Sequence, residues 1–160
     1  MVVGLVTFAR YDAEPLPDEI VVDSIKIIKS KHVMLLFRDG KEVKSYHVAL
    51  GPIILGHKER EGDGKTPEGK YLIDYHKPDS AFHLALHITY PNVHDIEVAK
   101  NQGVNPGGAI MIHGIRNGLG WIGNLHRLMD WTSGCIAVTN REIEEIWRAA
   151  PDGTDVEISQ

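Results

Sequence analysis

The sequence predicts a mainly β fold, a sandwich or open barrel with one C-terminal helix and long loops. Three observations lead there. Through residues 82–90, Phe82, Leu84, Leu86 and Ile88 alternate with His83, Ala85, His87 and Thr89, the period of a half-buried strand. Turn signals recur at short intervals between short apolar runs. A clear helical stripe occurs near the C-terminus, behind its own start signal.

Taken in order, residues 1–19, with Pro15 and Pro17, read as a lead-in arm, and one domain follows over 20–160. Residues 20–28 are rich in β-branched side chains, which favour strands. Residues 32–38, HVMLLFR, form an apolar run; Asp39-Gly40 is a hairpin turn signal, and residues 43–50 complete the hairpin. Residues 51–69, GPIILGHKEREGDGKTPEG, are dense in glycine and charge and read as a long functional loop. Residues 70–75 give a short strand, Pro91 ends the alternating one, and residues 92–100 suit a short helix. Gly107-Gly108 opens residues 109–112, which are wholly apolar and therefore central, and His113-Gly114 sits where that strand ends. Thr139-x-x-Glu142 fits a capping box, and Ile143, Ile146, Trp147 and Ala150 follow at helical spacing. Pro151 and Gly153 stop the helix, and residues 154–159 form a last strand.

Composition narrows the function classes. A net charge of -5, with no block of lysine or arginine, argues against nucleic acid as the main partner. No run of about 18 apolar residues exists, so no membrane span is expected. The opening MVVGLVTFAR is apolar but short, lacks a basic leading region, and reads as a poor secretory signal. A single cysteine forms no internal disulfide and leaves the compartment open.

Metal chemistry fits the histidines poorly. His83 and His87 stand at the spacing of a helical zinc pair, but on a strand they lie about 13 Å apart. No CxxC is present, and no metal or other cofactor is expected. Cys135 admits two readings. It is a small apolar residue packed with Ile136, Ala137 and Val138, or a nucleophile whose thiolate a nearby imidazole generates. His113, at the end of a central strand, is the candidate base. Gly134 lets backbone and substrate approach, and the N–H groups beside Cys135 are candidate oxyanion donors.

These residues resemble a known family. Ile112-His113-Gly114, a spacer over residues 116–131, and Thr132-Ser133-Gly134-Cys135-Ile136 are similar to the motif of the L,D-transpeptidase catalytic domain, also called the YkuD domain. Thr66-Pro67-Glu68-Gly69 looks like that family's Thr-Pro-x-Gly turn, and the order of elements agrees from about residue 20 to 159. The string DWTSGCIAVTN resembles a branch carrying Asp-Trp-Thr-x-Gly-Cys. Ser133 stands where the family has His, and Ala137 where it has Asn or Arg. These departures leave nucleophile and base in place and bear on substrate contacts and on the balance of transfer and hydrolysis.

The resemblance implies an enzyme of the bacterial cell wall. Cys135 would attack the L-to-D peptide bond of a peptidoglycan stem, His113 would take the thiol proton, and the Gly114 carbonyl would orient His113. An acyl-enzyme thioester would form, and an amine of another stem or of a wall-linked protein would resolve it. Resolution by water would make the domain a carboxypeptidase or amidase, and loss of turnover a wall-binding module. A carbapenem would acylate Cys135, and the location would be the periplasm or cell envelope. His87 and Tyr90 then read either as a substrate wall or as sheet residues, and Trp121, in GLGWIG, as a lid or a core aromatic. Arg127 reads as a stem-carboxylate ligand or a surface ion pair. Trp131 flanks the nucleophile, Thr132 braces the loop, and His126 reads as a second imidazole near the site or, in preference, as a surface residue.

Overall fold

The computed structural model describes residues 14–160; residues 1–13, most of the expected arm, lie outside the described residues. Among those described, the strands are β1 (Ser24–Ile28), β2 (Val33–Arg38), β3 (Lys41–His47), β4 (Gly69–Ser80), β5 (His83–Ile88), β6 (Met111–His113), β7 (Ile136–Ala137) and β8 (Asp155–Ser159). They form one sheet in the order β3-β2-β1-β8-β4-β5-β6-β7. The pairs β1–β8 and β6–β7 are parallel and the others antiparallel.

The sheet bends because β4 serves two partners. Its first residues, Gly69 to Leu72, pair with β8, and from Ile73 onward it pairs with β5. Register breaks between Ile73 and Tyr75, and between Lys77 and Ser80, turn the strand between those partners. The ends of the sheet then meet. After β3 the chain continues to Ala49, whose N–H donates to the Ala137 carbonyl at 3.0 Å and whose carbonyl accepts from Ala137 at 2.9 Å. An open barrel results. Inside it lie the inward residues that strand alternation selects: Ile25 and Ile27, Met34 and Leu36, Leu86 and Ile88, Val156 and Ile158.

Two α-helices flank the sheet. Helix α1 (Val93–Gln102) carries a capping box: the Asn92 side chain accepts from Asp95 N–H at 2.9 Å, and Asp95 accepts from Asn92 N–H at 3.0 Å. It matches the short helix expected over 92–100, shifted by one or two residues at its ends. It has no strong apolar stripe to read, since Val93 and Ile96 are exposed and only Asp95 and Ala99 are buried. Helix α2 (Asn140–Ala149) starts from Thr139 as the sequence predicts: Thr139 Oγ1 accepts from Glu142 N–H at 3.3 Å, and Glu142 accepts from Thr139 N–H at 2.8 Å. Ile143, Ile146 and Ala149 bury its inner face, and the helix packs on β5 and β6.

Several boundaries differ from the sequence reading. The strand expected over 20–28 contracts to Ser24–Ile28, and the one expected over 70–75 extends to Ser80. The central strand expected over 109–112 runs instead from Met111 to His113. Ala109 adopts φ 54°, a left-handed conformation that delays the strand start. His113 is therefore held within a sheet ladder, between β5 and β7, rather than just past one.

The T139A substitution removes one half of the reciprocal cap and should lower unfolding free energy by about 1 kcal/mol, read from a shifted urea midpoint at unchanged slope. No shift would mean that α2 is held by packing alone.

Candidate active site

Strand geometry brings His113 and Cys135 together. In the parallel β6–β7 pair, Ile112 stands opposite Ile136 and His113 opposite Ala137. Ile112 and Ile136 are fully buried in the core, so the alternating residues His113, Ala137 and Cys135 belong to the opposite face. Cys135 precedes β7 and is offset from His113 by one strand and two residues, about 8 Å between α-carbons on ideal sheet spacings. Both side chains line one cavity of about 880 Å³.

The backbone fixes the state of His113. Its Nδ1–H donates to the Gly114 carbonyl at 2.7 Å, so Nε2 keeps its lone pair. Gly114 is itself pinned, its N–H donating to Phe82 O at 3.0 Å and Leu84 O at 3.2 Å. A Cβ at Gly114 would come within 2.8 Å of the Asn140 Oδ1 that accepts from Ile115 N–H. The first residue of α2 thus braces the His-Gly turn. The imidazole is 4% exposed, its ring 4.5 Å from that of Phe82 and 5.7 Å from that of Trp131. Burial lowers the His113 pKa, while the bond to Gly114 pulls the other way.

The cysteine turn is braced from within and behind. Thr132 Oγ1 donates to Cys135 O at 2.8 Å and accepts from Gly134 N–H at 3.1 Å. The Gly134 N–H is therefore engaged, which removes it from the candidate oxyanion donors. Gly134 has φ 124°, and a Cβ there would sit 2.6 Å from Lys65 O of the glycine-rich loop. Only a residue without a side chain fits. The Cys135 thiol reaches Ala109 O at 3.4 Å. Burial pushes its pKa up, against smaller opposing effects from a Met111 backbone bond and the Lys58 charge. Burial thus disfavours the charged form of both groups.

The glycine-rich loop is rigidly held. Lys29, fully buried, donates to Gly56 O at 2.6 Å, Thr66 O at 3.0 Å and Glu68 Oε1 at 2.9 Å. Lys58, also buried, donates to Arg60 O at 3.1 Å and Asp63 Oδ1 at 3.0 Å. Asp130 ties the nucleophile segment to the strand end, accepting from Leu50 N–H at 2.9 Å and pairing with His32 at 2.8 Å.

Of the residues singled out in the sequence, the cavity gathers His113, Trp131, Thr132, Ser133 and Cys135. The four other substrate-contact candidates do not line it. His87 pairs with Asp74 at 2.6 Å and stacks on Tyr75, in keeping with a sheet histidine. Tyr90 is buried, its hydroxyl donating to Pro106 O at 2.8 Å, in keeping with a packing tyrosine. Trp121 is 75% exposed and so is no core aromatic. Arg127 is committed to both carboxylate oxygens of Glu142 and to Asn124, which joins the segment before the nucleophile to the cap of α2. His126 is 5% exposed and lines the cavity, in keeping with a second imidazole near the site and not with the preferred surface reading. Arg116, exposed at the cavity, was not singled out; its position three residues after the candidate base is the signal that could have found it. Among the described residues, no group of three or more His, Cys, Asp or Glu could hold a metal ion, and no helix is long and apolar enough to cross a membrane.

A histidine on β6 and a cysteine just before the adjacent parallel strand β7 thus line the same cavity of the barrel. The family model of the L,D-transpeptidase catalytic domain, YkuD, matches residues 17–158, and the chain belongs to that family. It is 34% identical over 113 residues to YafK of Escherichia coli (strain K12), a match covering 69% of this chain and 36% of that protein. Its fold superposes on the crystal structure of the helical cell shape determining protein Pgp2 from Campylobacter jejuni with TM-score 0.66 and 26% identity, over 100% of this chain and 55% of that one. An L,D-transpeptidase from Xylanimonas cellulosilytica shares the fold, with TM-score 0.56 and 17% identity over 92% of this chain and 65% of that one. The chain thus spans about a third of YafK and about half of Pgp2.

Two outcomes test the geometry. G134A forces a side chain into a left-handed backbone against Lys65 O and should destabilise the domain by more than about 1 kcal/mol, with slower alkylation of Cys135; a variant with native stability and alkylation would contradict the close packing. Because burial raises the thiol pKa, iodoacetamide labelling of Cys135 should be slow at neutral pH and climb through pH values above about 8.5. A rate already at its plateau at pH 7 would instead indicate a resting thiolate–imidazolium pair.

Proposed function

We propose that the domain is a cysteine-dependent L,D-transpeptidase acting on peptidoglycan stem peptides through an acyl-enzyme thioester. The observation that carries this reading is the shared wall of His113 and Cys135, with His113 Nδ1–H spent on Gly114 and Nε2 left as a base. His113 takes the thiol proton as Sγ attacks the carbonyl carbon of the L-to-D bond. The tetrahedral intermediate collapses to the thioester, and the terminal D-amino acid leaves as an amine carrying the proton from His113. An acceptor amine then attacks the thioester and regenerates the thiol. The Cys135 N–H is the assigned oxyanion donor, since Gly134 N–H is held by Thr132. Membership of the family supports a wall substrate and a cell-envelope location, with a second stem or a wall-anchored protein as acceptor. No cofactor enters this scheme.

Purified stem tetrapeptides incubated with and without an acceptor amine, read by mass, test the reaction. The expected product with acceptor is the exchanged peptide, released D-amino acid appearing in equal amount. Accumulation of tripeptide alone, acceptor or not, would replace transfer by hydrolysis, and no product at all would leave a wall-binding module. C135A should abolish turnover, and H113A should lower it about 10²–10⁴-fold; full turnover in C135A would sink the mechanism.

A further inference from the structure

His126 has no part in the scheme above, yet it is 5% exposed and lines the same cavity as His113 and Cys135. Its Nδ1 accepts from the indole N–H of Trp131 at 3.3 Å. Indole nitrogen only donates, so Nδ1 must carry the lone pair. The neutral ring then bears its proton on Nε2, and that buried atom has no hydrogen-bond partner. Burial, the neighbouring Arg127 charge and His113 push its pKa down to about 3, which keeps the ring neutral at neutral pH. A buried N–H without an acceptor costs free energy in the empty protein, and native folds rarely leave one. The remaining cavity lining indicates what acceptor it suits. Its charged members are Lys77 and Arg116, and it contains no Asp or Glu among the described residues.

We infer that His126 is a substrate-binding residue of this cavity, donating its Nε2–H to a carboxylate oxygen of the bound stem peptide. The inference rests on the stem-peptide reading above and adds to it the group that the buried imidazole recognises. Trp131 acts as the positioning residue: its N–H fixes the tautomer, and its ring lies 6.2 Å from His126 and 5.7 Å from His113. Loss of a hydrogen bond to a charged acceptor corresponds to about a 10- to 100-fold weaker affinity.

The test uses binding in the C135A background, where no turnover occurs, with stem tetrapeptides carrying free carboxylates or one amidated carboxylate at a time. H126F should weaken binding of the free-carboxylate peptide about 10-fold or more, and H126Q, which restores an N–H donor, should recover part of it. One amidated peptide should bind C135A weakly yet lose little more on H126F, because the same contact is already gone. In the enzyme with Cys135 intact, H126F should raise KM more than it lowers kcat. H126F removes the unpartnered donor but also the acceptor of the Trp131 N–H, so binding of each variant is measured well below its own melting temperature. Additive losses on amidation and substitution, equal affinity in H126F, or loss of affinity only in step with the melting temperature would each overturn the assignment. Nitrogen NMR of the free protein provides a separate check: a proton on Nδ1 of His126 would overturn it without any substrate. Absence of stem-peptide binding in every variant would overturn the stem-peptide reading and this assignment together, whereas binding indifferent to His126 overturns this assignment alone.

Discussion

Two backbone hydrogen bonds between Ala49 and Ala137 hold the site in place. Strand β7 is only two residues long and cannot sustain itself. Its position comes from β6 on one side and from the strand-like tail of β3 on the other. The same tail continues to grip the turn before the nucleophile: Leu50 O accepts from Thr132 N–H at 3.2 Å, and Leu50 N–H donates to Asp130. Closure of the sheet and placement of Cys135 are therefore one event. Each such bond contributes only about 1 kcal/mol net, but an unmade one in this buried seam would cost more. The partners are distant in sequence, so they become neighbours only when the whole barrel has formed.

Behind that seam the glycine-rich loop supplies a backing of bare backbone. A Cβ at Gly51 would lie 2.4 Å from Gly64 O, and a Cβ at Gly134 would lie 2.6 Å from Lys65 O. Three stretches of main chain thus approach without intervening side chains. Backbone contact alone does not hold a long loop; two buried ammonium groups do so from inside. Lys29 gathers the carbonyls of Gly56 and Thr66, with Glu68 as counter-ion, and Lys58 pairs with Asp63. Removing such charges from water is costly and is offset only because each meets several oxygens in good geometry. Charge in this loop is in part internal scaffolding.

What could be read from the sequence follows the range of the interaction concerned. Strand alternation over residues 82–90 and the Thr139–Glu142 cap depend on neighbours a few residues away, and both appear in the fold. The pairing of His113 with Cys135 was an inference from spacing and family resemblance; the register of β6 and β7 supplies its geometry. Polar residues whose partners come from another element were misread or missed. Arg127 finds Glu142 across the turn, Asn140 reaches back to Ile115 N–H, and His126 meets Trp131 only once the intervening segment has folded under the cavity. Nothing local marks Lys29, because its three oxygen partners lie in the later loop. Helix α1 was legible from its ends, a cap and a glycine, although its body carries little apolar pattern.

The two departures from the family pattern separate once their surroundings are known. Ser133 is exposed and lines the cavity, so the hydroxyl in place of an imidazole changes the cavity wall beside Cys135. Ala137 is fully buried, stands opposite His113, and makes the Ala49 bridge. A longer polar side chain there would enter a packed seam, so the alanine is a packing choice and not a missing substrate contact. The imidazole absent at position 133 has a counterpart in chemical type within the same cavity, at His126. Its ring, however, is fixed through Trp131 rather than carried on the nucleophile turn. That arrangement separates the group beside the Cys135 thiol from the group with a spare buried donor. Under the proposed mechanism, changes at Ser133 should act mainly on the fate of the thioester, and changes at His126 on substrate capture.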